Sequence, residues 1–116
     1  MVRRTALIVD DHPSFRRMAR RLLVAAGYDV VGEAADAAGA LTAARDCRPA
    51  FVLLDVLLPD GSGIDVADVI GGLGASVVLL VSSRAAGDFG PALDGRDFVT
   101  KSELTVERLQ GLAGDG

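Results

Sequence analysis

Thr5-Ala6-Leu7-Ile8-Val9-Asp10-Asp11 is a short apolar run broken abruptly by two carboxylates. A run with no polar alternation reads as a strand buried on both faces, as in a parallel sheet. Its carboxyl end carries the charge. The same design recurs at Phe51-Val52-Leu53-Leu54-Asp55, and again from Ser76 to Val81 ahead of Ser82-Ser83. A minimal version, Asp97 to Thr100, ends at Lys101.

The segments between these runs have helical spacing. His12-Pro13-Ser14 opens the first helix, since a proline in the first turn gives up an N–H that has no partner there. Phe15, Met18, Ala19, Leu22, Leu23 and Ala26 form its inward stripe, opposite Arg16, Arg17, Arg20 and Arg21. Gly27 is its expected C′ residue, and Tyr28 to Ala34 reads as a second strand. Asp36 is the expected N-cap of an alanine-rich helix running to about Asp46, with Leu41 and Ala44 inward and Arg48-Pro49 as the stop. Leu58-Pro59-Asp60-Gly61-Ser62-Gly63 is loop chemistry. Ile64, Ala67, Val69 and Ile70 then predict a helix ended by Gly71-Gly72. Arg84 to Gly95 holds three glycines and Pro91, which predicts a short or irregular helix. Ser102 or Thr105 caps a last helix carrying Leu104, Leu109 and Leu112, and Gly114-Asp115-Gly116 reads as a frayed end.

Parallel strands require crossovers, so buried strands alternating with helices predict a single α/β domain with a doubly wound, five-stranded parallel sheet. The 116 residues suit one core, and 50% of them are hydrophobic. The formal net charge of −4 and the scarcity of aromatic residues argue against direct nucleic-acid contact. No apolar run approaches the roughly 20 residues of a bilayer span, and Arg3 and Arg4 precede no secretory segment, which predicts a cytoplasmic chain without a membrane partner. A single cysteine, Cys47, excludes an internal disulfide and reads as structural. Eleven of the twelve basic residues are arginines, which singles out Lys101.

Ligands of such sheets sit beyond the carboxyl ends of the strands. Were the first and third strands neighbours, Asp10, Asp11 and Asp55 would converge, and two carboxylates about 4 Å apart repel by about 4 kcal/mol at an effective dielectric of 20. A raised pKa offsets this, and so does a hard divalent cation of the magnesium type. Taken singly, the residues have plainer readings: Ser82 as a strand-end hydroxyl, Lys101 as a solvated charge, Phe98 as core, His12 as a helix-start residue. Met18, Leu22 and Leu23 read as core.

Together, Asp10-Asp11, Asp55, Leu58 to Gly63, Ser82 and Phe98 to Lys101 resemble the receiver domain of two-component response regulators over nearly the whole chain, residues 1–116. Asp10-Asp11-His12-Pro13 with Phe15-Arg16, and Lys101-Ser102-Glu103-Leu104, are most similar to the NarL/FixJ type. The resemblance implies a flavodoxin-like strand order of 2-1-3-4-5. It implies Asp55 as phosphoacceptor, and Mg²⁺ held by Asp10, Asp11, Asp55 and the Leu57 backbone carbonyl. Lys101 and Ser82 would meet phosphoryl oxygens, and Ser82 with Phe98 would form the switch. The implied partners are a histidine kinase or phosphotransfer protein, with a small acyl phosphate as another donor and an output domain or downstream protein as receiver of the signal. Dimerisation is left open.

Three departures from the family pattern stand out. Ser102 replaces a proline common in receivers, the Ser82-to-Phe98 segment is short and glycine-rich, and Leu57 and Arg84 flank the site, where they are expected to tune the acyl-phosphate lifetime. The alternative is a degenerate receiver acting as a phosphorylation-independent interaction module. A phosphatase-like hydrolase is disfavoured because Leu57 stands where a second acid would be needed. A dinucleotide-binding module is disfavoured because no G-x-G-x-x-G follows the first strand.

Overall fold

The computed structural model describes residues 4–73 and 77–113. Arg3, Ser76 and the Gly114-Asp115-Gly116 end, on which sequence expectations fell, lie outside the described residues. The main sheet comprises β1 (Thr5–Val9), β2 (Asp29–Ala34), β3 (Phe51–Asp55), β6 (Val77–Ser82) and β7 (Phe98–Thr100) in the order β2-β1-β3-β6-β7, all parallel. Counted among these five strands alone, that is the expected 2-1-3-4-5. The helices are α1 (Pro13–Ala25), α2 (Ala37–Cys47), α3 (Gly63–Leu73) and α4 (Val106–Ala113).

Alternation along the central strands feeds two cores. Ala6, Ile8, Phe51, Leu53, Leu79 and Val81 pack with Phe15, Ala19 and Leu23 of α1 and Leu109 of α4. Leu7, Val9, Val52, Leu54 and Leu80 pack with Ala40 and Ala44 of α2 and Val66, Ala67 and Ile70 of α3. Every residue of β3 is buried, as its unbroken apolar run requires.

The caps follow their chemistry. Asp36 accepts the Gly39 N–H at 2.7 Å. Gly27 takes a positive φ of 97° after α1, and Arg48 takes the left-handed turn (φ 44°) that closes α2. Thr105, not Ser102, caps α4 by accepting the Arg108 N–H at 3.1 Å. Ser102 lies inside a 3₁₀ turn, Lys101–Glu103, and Leu104 precedes the helix while still packing in the first core.

Several expectations are corrected. The Leu58–Gly63 loop contains a small antiparallel hairpin of β4 (Leu57–Leu58) and β5 (Gly61–Ser62), too short to leave an alternation pattern. Gly71-Gly72 do not end α3, which runs to Leu73; neither glycine adopts positive φ, so neither makes a C′ turn. Met18 is not core but 41% exposed, because the buried line of α1 is the strict Phe15, Ala19, Leu23 series and Met18 falls beside it. Val69 is likewise exposed on α3. Tyr28 precedes β2, stacks at 5.0 Å on Phe51 and donates its hydroxyl to the Leu109 carbonyl. The glycine-rich stretch forms a 3₁₀ segment, Ala86–Leu93, broken at Gly90 (φ 60°) just before Pro91. That matches the expected irregular fourth helix.

Candidate functional site

The carboxyl ends of β1, β3 and β7 bring Asp10, Asp11, Asp55 and Lys101 together. Asp10 is fully buried, and its backbone carbonyl accepts Arg16 Nη1 at 2.7 Å. Asp10 Oδ1 accepts the His12 N–H at 2.8 Å and lies 2.9 Å from His12 Nδ1, which also lies 3.1 Å from Asp11 Oδ1. Carboxylates only accept, so this contact places a proton on Nδ1 and makes His12 a donor clamp over both acids. Asp55 Oδ1 accepts the Leu57 N–H at 3.0 Å. Its Oδ2 lies 3.2 Å from Lys101 Nζ, which is closer still, 2.6 Å, to Asp10 Oδ2. The same ammonium sits 4.4 Å from the centroid of the Phe15 ring.

These contacts split the two buried acids. Burial pushes the Asp55 carboxyl up to about 6, with the Asp10 charge adding to the effect against the opposing Leu57 N–H and Lys101. Burial also acts to raise Asp10, but the Lys101 ammonium and the His12 hydrogen bonds outweigh it and hold Asp10 below the ordinary aspartate value. Burial acts to lower Lys101; Asp10 and Asp55 together override it and raise the ammonium. Asp10 and Lys101 are therefore a charged pair, beside an Asp55 poised just below neutrality.

The wall opposite is backbone. Gly63 donates its N–H to the Val56 carbonyl at 2.7 Å, and a Cβ on Gly63 would fall against the Asp55 carbonyl oxygen and 2.9 Å from the Val56 Cα. The α3 N-terminus thus lies directly on the chain that leaves β3. Asp60, in the hairpin turn, accepts the Ala37 and Ala38 N–H groups at 2.6 and 3.1 Å and so ties this loop to the start of α2.

Ser82 is buried at the end of β6, and its Oγ accepts the Arg84 N–H at 3.1 Å. Phe98 is half-buried in β7, edge-on to Phe89 with centroids 6.1 Å apart, and packs on the second core and not on the acids. Leu57 is half-exposed beside the site and Arg84 is exposed. Sequence reading missed His12 as a clamp, Phe15 as a neighbour of Lys101, and Gly63 as a contact surface for Asp55. It also missed the Arg16–Glu33–Arg20 network, in which Glu33 of β2 holds both guanidinium groups at 3.1 and 2.6 Å. The Asp10-Asp11-His12 sequence was the only signal for any of these, because a histidine flanking two acids is within reach of both.

One carboxylate oxygen each from Asp10, Asp11 and Asp55, with one His12 ring nitrogen, lie within 4.8 Å of one another. Asp10 Oδ2 is buried and has no directed hydrogen bond among the described residues, only the ammonium beside it. With Nδ1 occupied as a donor, the remaining ligand atoms are hard carboxylate oxygens, a set that fits Mg²⁺ and not a soft metal.

The family description "Response regulator receiver domain" matches residues 6–110. The chain belongs to the response regulator receiver family. Among its relatives, the receiver is 39% identical over 115 residues to the probable transcriptional regulatory protein TcrX of Mycobacterium tuberculosis, covering 93% of this chain and 49% of TcrX. It is 43% identical over 98 residues to KdpE of the same species, covering 82% of this chain and 43% of KdpE. The receiver thus spans about half the length of the curated relatives it matches. Among solved structures, a LuxR-family two-component response regulator from Aurantimonas sp. SI85-9A1 superposes with TM-score 0.83 at 34% identity, covering 97% of this chain and 84% of that one. The receiver domain of a putative NarL from Mycobacterium tuberculosis gives 0.81 at 30% identity, with 97% and 94% covered. The NarL-like resemblance of the motifs therefore has structural counterparts. No helix among the described residues is long and apolar enough to cross a membrane.

Proposed function

We propose that this receiver is a phosphorylation-activated signalling switch that accepts a phosphoryl group on Asp55 from a histidine kinase, a phosphotransfer protein or a small acyl phosphate. The observation that carries the proposal is the buried Asp55 carboxylate facing Lys101 beside Asp10, with its carboxyl near 6, largely ionised at neutral pH and available as a nucleophile. An Asp55 oxygen bonds to phosphorus as the donor's bond to phosphorus breaks, giving an acyl phosphate. Asp10, Asp11 and Asp55, with the Leu57 carbonyl, are the residues to hold Mg²⁺, which when bound neutralises charge on the transferring phosphoryl oxygens.

The chain's own groups divide the remaining work. The Leu57 N–H fixes Asp55 Oδ1 and so orients the carboxylate, with Oδ2 toward the Lys101 ammonium. Lys101 stabilises negative charge arriving at Asp55. In the Ser82 bond to Arg84 the hydroxyl oxygen is the acceptor, so the hydroxyl proton stays free to donate to a phosphoryl oxygen. Inward movement of Phe98, released from its Phe89 contact, would turn that bond into a changed surface.

Residues 1–116 act in this proposal as one cytoplasmic receiver unit that autocatalyses its own phosphorylation and dephosphorylation and passes the signal to an output domain or downstream protein. Its net charge of −4 supports an indirect relation to DNA. The irregular Ala86–Leu93 segment favours one alternative, a degenerate receiver that binds partners without phosphorylation. Intact-mass measurement separates the two. The phosphoacceptor gains one phosphoryl group from acetyl phosphate or a kinase only with Mg²⁺ and not as Asp55→Ala; absence of any gain with every donor class establishes the degenerate receiver.

A further inference from the structure

Lys101 has one neighbour that no charge argument anticipates. Its ammonium touches two carboxylates, Asp10 at 2.6 Å and Asp55 at 3.2 Å, and stands 4.4 Å from the Phe15 ring centroid. The lysine side chain is only 16% exposed, so water is largely excluded from this contact and the ring takes the side the carboxylates leave. Phe15 itself is anchored: it lies in the first turn of α1, 8% exposed, in the core that also holds Val99 and Leu104, the residues bracketing the Lys101 turn.

We propose that Phe15 is a positioning residue for Lys101, its aromatic face holding the ammonium over the site within reach of both Asp10 and Asp55. The inference rests on the phosphoacceptor reading and deepens it. The face of an aromatic ring is electron-rich and attracts a cation placed over it within about 6 Å of the centroid, without the short fixed contact a carboxylate oxygen imposes. A carboxylate, by contrast, binds the ammonium at one point. Lys101 is already closest to Asp10, and phosphorylation of Asp55 requires it to move toward the new phosphoryl oxygen. A third carboxylate in place of the ring would pin the ammonium, and an aliphatic side chain would leave it over a surface that attracts no charge. The ring holds the lysine over the site through a softer contact than a third carboxylate would make.

Replacing Phe15 with mono-, di- and trifluorophenylalanine tests this, since fluorine drains the ring face while nearly preserving its shape. The rate of Mg²⁺-dependent mass gain from acetyl phosphate is expected to fall stepwise along the series, by about two- to tenfold in total. Phe15→Tyr should stay near the native rate. Nuclear magnetic resonance supplies the second readout: the Lys101 ε-methylene protons should be shifted upfield by the ring current, and the shift should vanish in Phe15→Leu. A rate that is flat along the fluorinated series, or Lys101 protons without a ring-current shift in the native protein, overturns the proposal. Should Phe15→Leu fail to fold, the fluorinated series decides. Failure of the phosphoacceptor reading looks different: the native protein would gain no mass at all, and the Lys101 shift would then decide the Phe15 contact by itself.

Discussion

The Lys101 ammonium rests 2.6 Å from the buried Asp10 carboxylate. The pair closes the site from the β7 side, and each partner holds the other charged. Removing one partner of such a pair strands the other in a poorly solvated place. Lys101→Ala is therefore expected to cost about 3 kcal/mol in urea unfolding without Mg²⁺. Adding Asp10→Asn to that variant should recover much of the loss, because the stranded charge goes with it. A double variant no more stable than Lys101→Ala would show the pair to be energetically idle.

Asp55 is a stability liability at neutral pH. Its folded carboxyl titrates near 6 against an ordinary value of 3.8, so the unfolded chain releases the proton first as pH rises. The stabilisation associated with the neutral form is complete below about pH 4 and lost as pH climbs through 6. Asp55→Asn keeps the shape without the charge. It is expected to be more stable than the native chain by on the order of 2–3 kcal/mol at pH 7, with the gain shrinking toward zero near pH 4. Thermal unfolding across that pH range measures it, and a gain independent of pH would contradict the assignment.

Gly63 is expected to tolerate no side chain. A methyl there meets the backbone at Asp55 and Val56, which cannot rotate away as a side chain can. Gly63→Ala should destabilise by about 3 kcal/mol and slow phosphoryl uptake at Asp55 in the fraction that remains folded. A native-like unfolding midpoint would mean that the start of α3 moves freely relative to β3.

Asp36→Ala removes the side-chain cap of α2 and is expected to cost about 1 kcal/mol, read from chemical denaturation. Because Asp60 holds the neighbouring Ala37 and Ala38 N–H groups, the double variant Asp36→Ala with Asp60→Ala should lose more than the two single losses summed. Strict additivity would show that the two caps act independently.

What could be read from the sequence was whatever depends on near neighbours in the chain. The unbroken apolar runs of β1 and β3, the Asp36 cap, the Gly27 turn and the glycine- and proline-rich composition before Gly95 all carry their structure locally. The acids were legible because each terminates such a run, so the sheet itself assembles them. Tertiary placement was not. Whether Met18 faces in or out depends on what packs beside α1, and a hairpin of two-residue strands has no period to detect. The Phe15 ring beneath Lys101 joins segments far apart in sequence, while His12 and Gly63 each have an ordinary local role, as helix-start and loop residue, that hides their part in the site. The phosphate-handling parts assigned to Ser82 and Phe98 rest on family register, since their present contacts are to Arg84 and Phe89.

Because β3 lies between the two cores with every residue buried, Asp55 is mounted on a strand with no open face. A charge or group added to that carboxylate would meet a packed strand beneath it. In the proposed switch the outlet would be sideways, toward the strand tips and the 3₁₀ segment broken at Gly90.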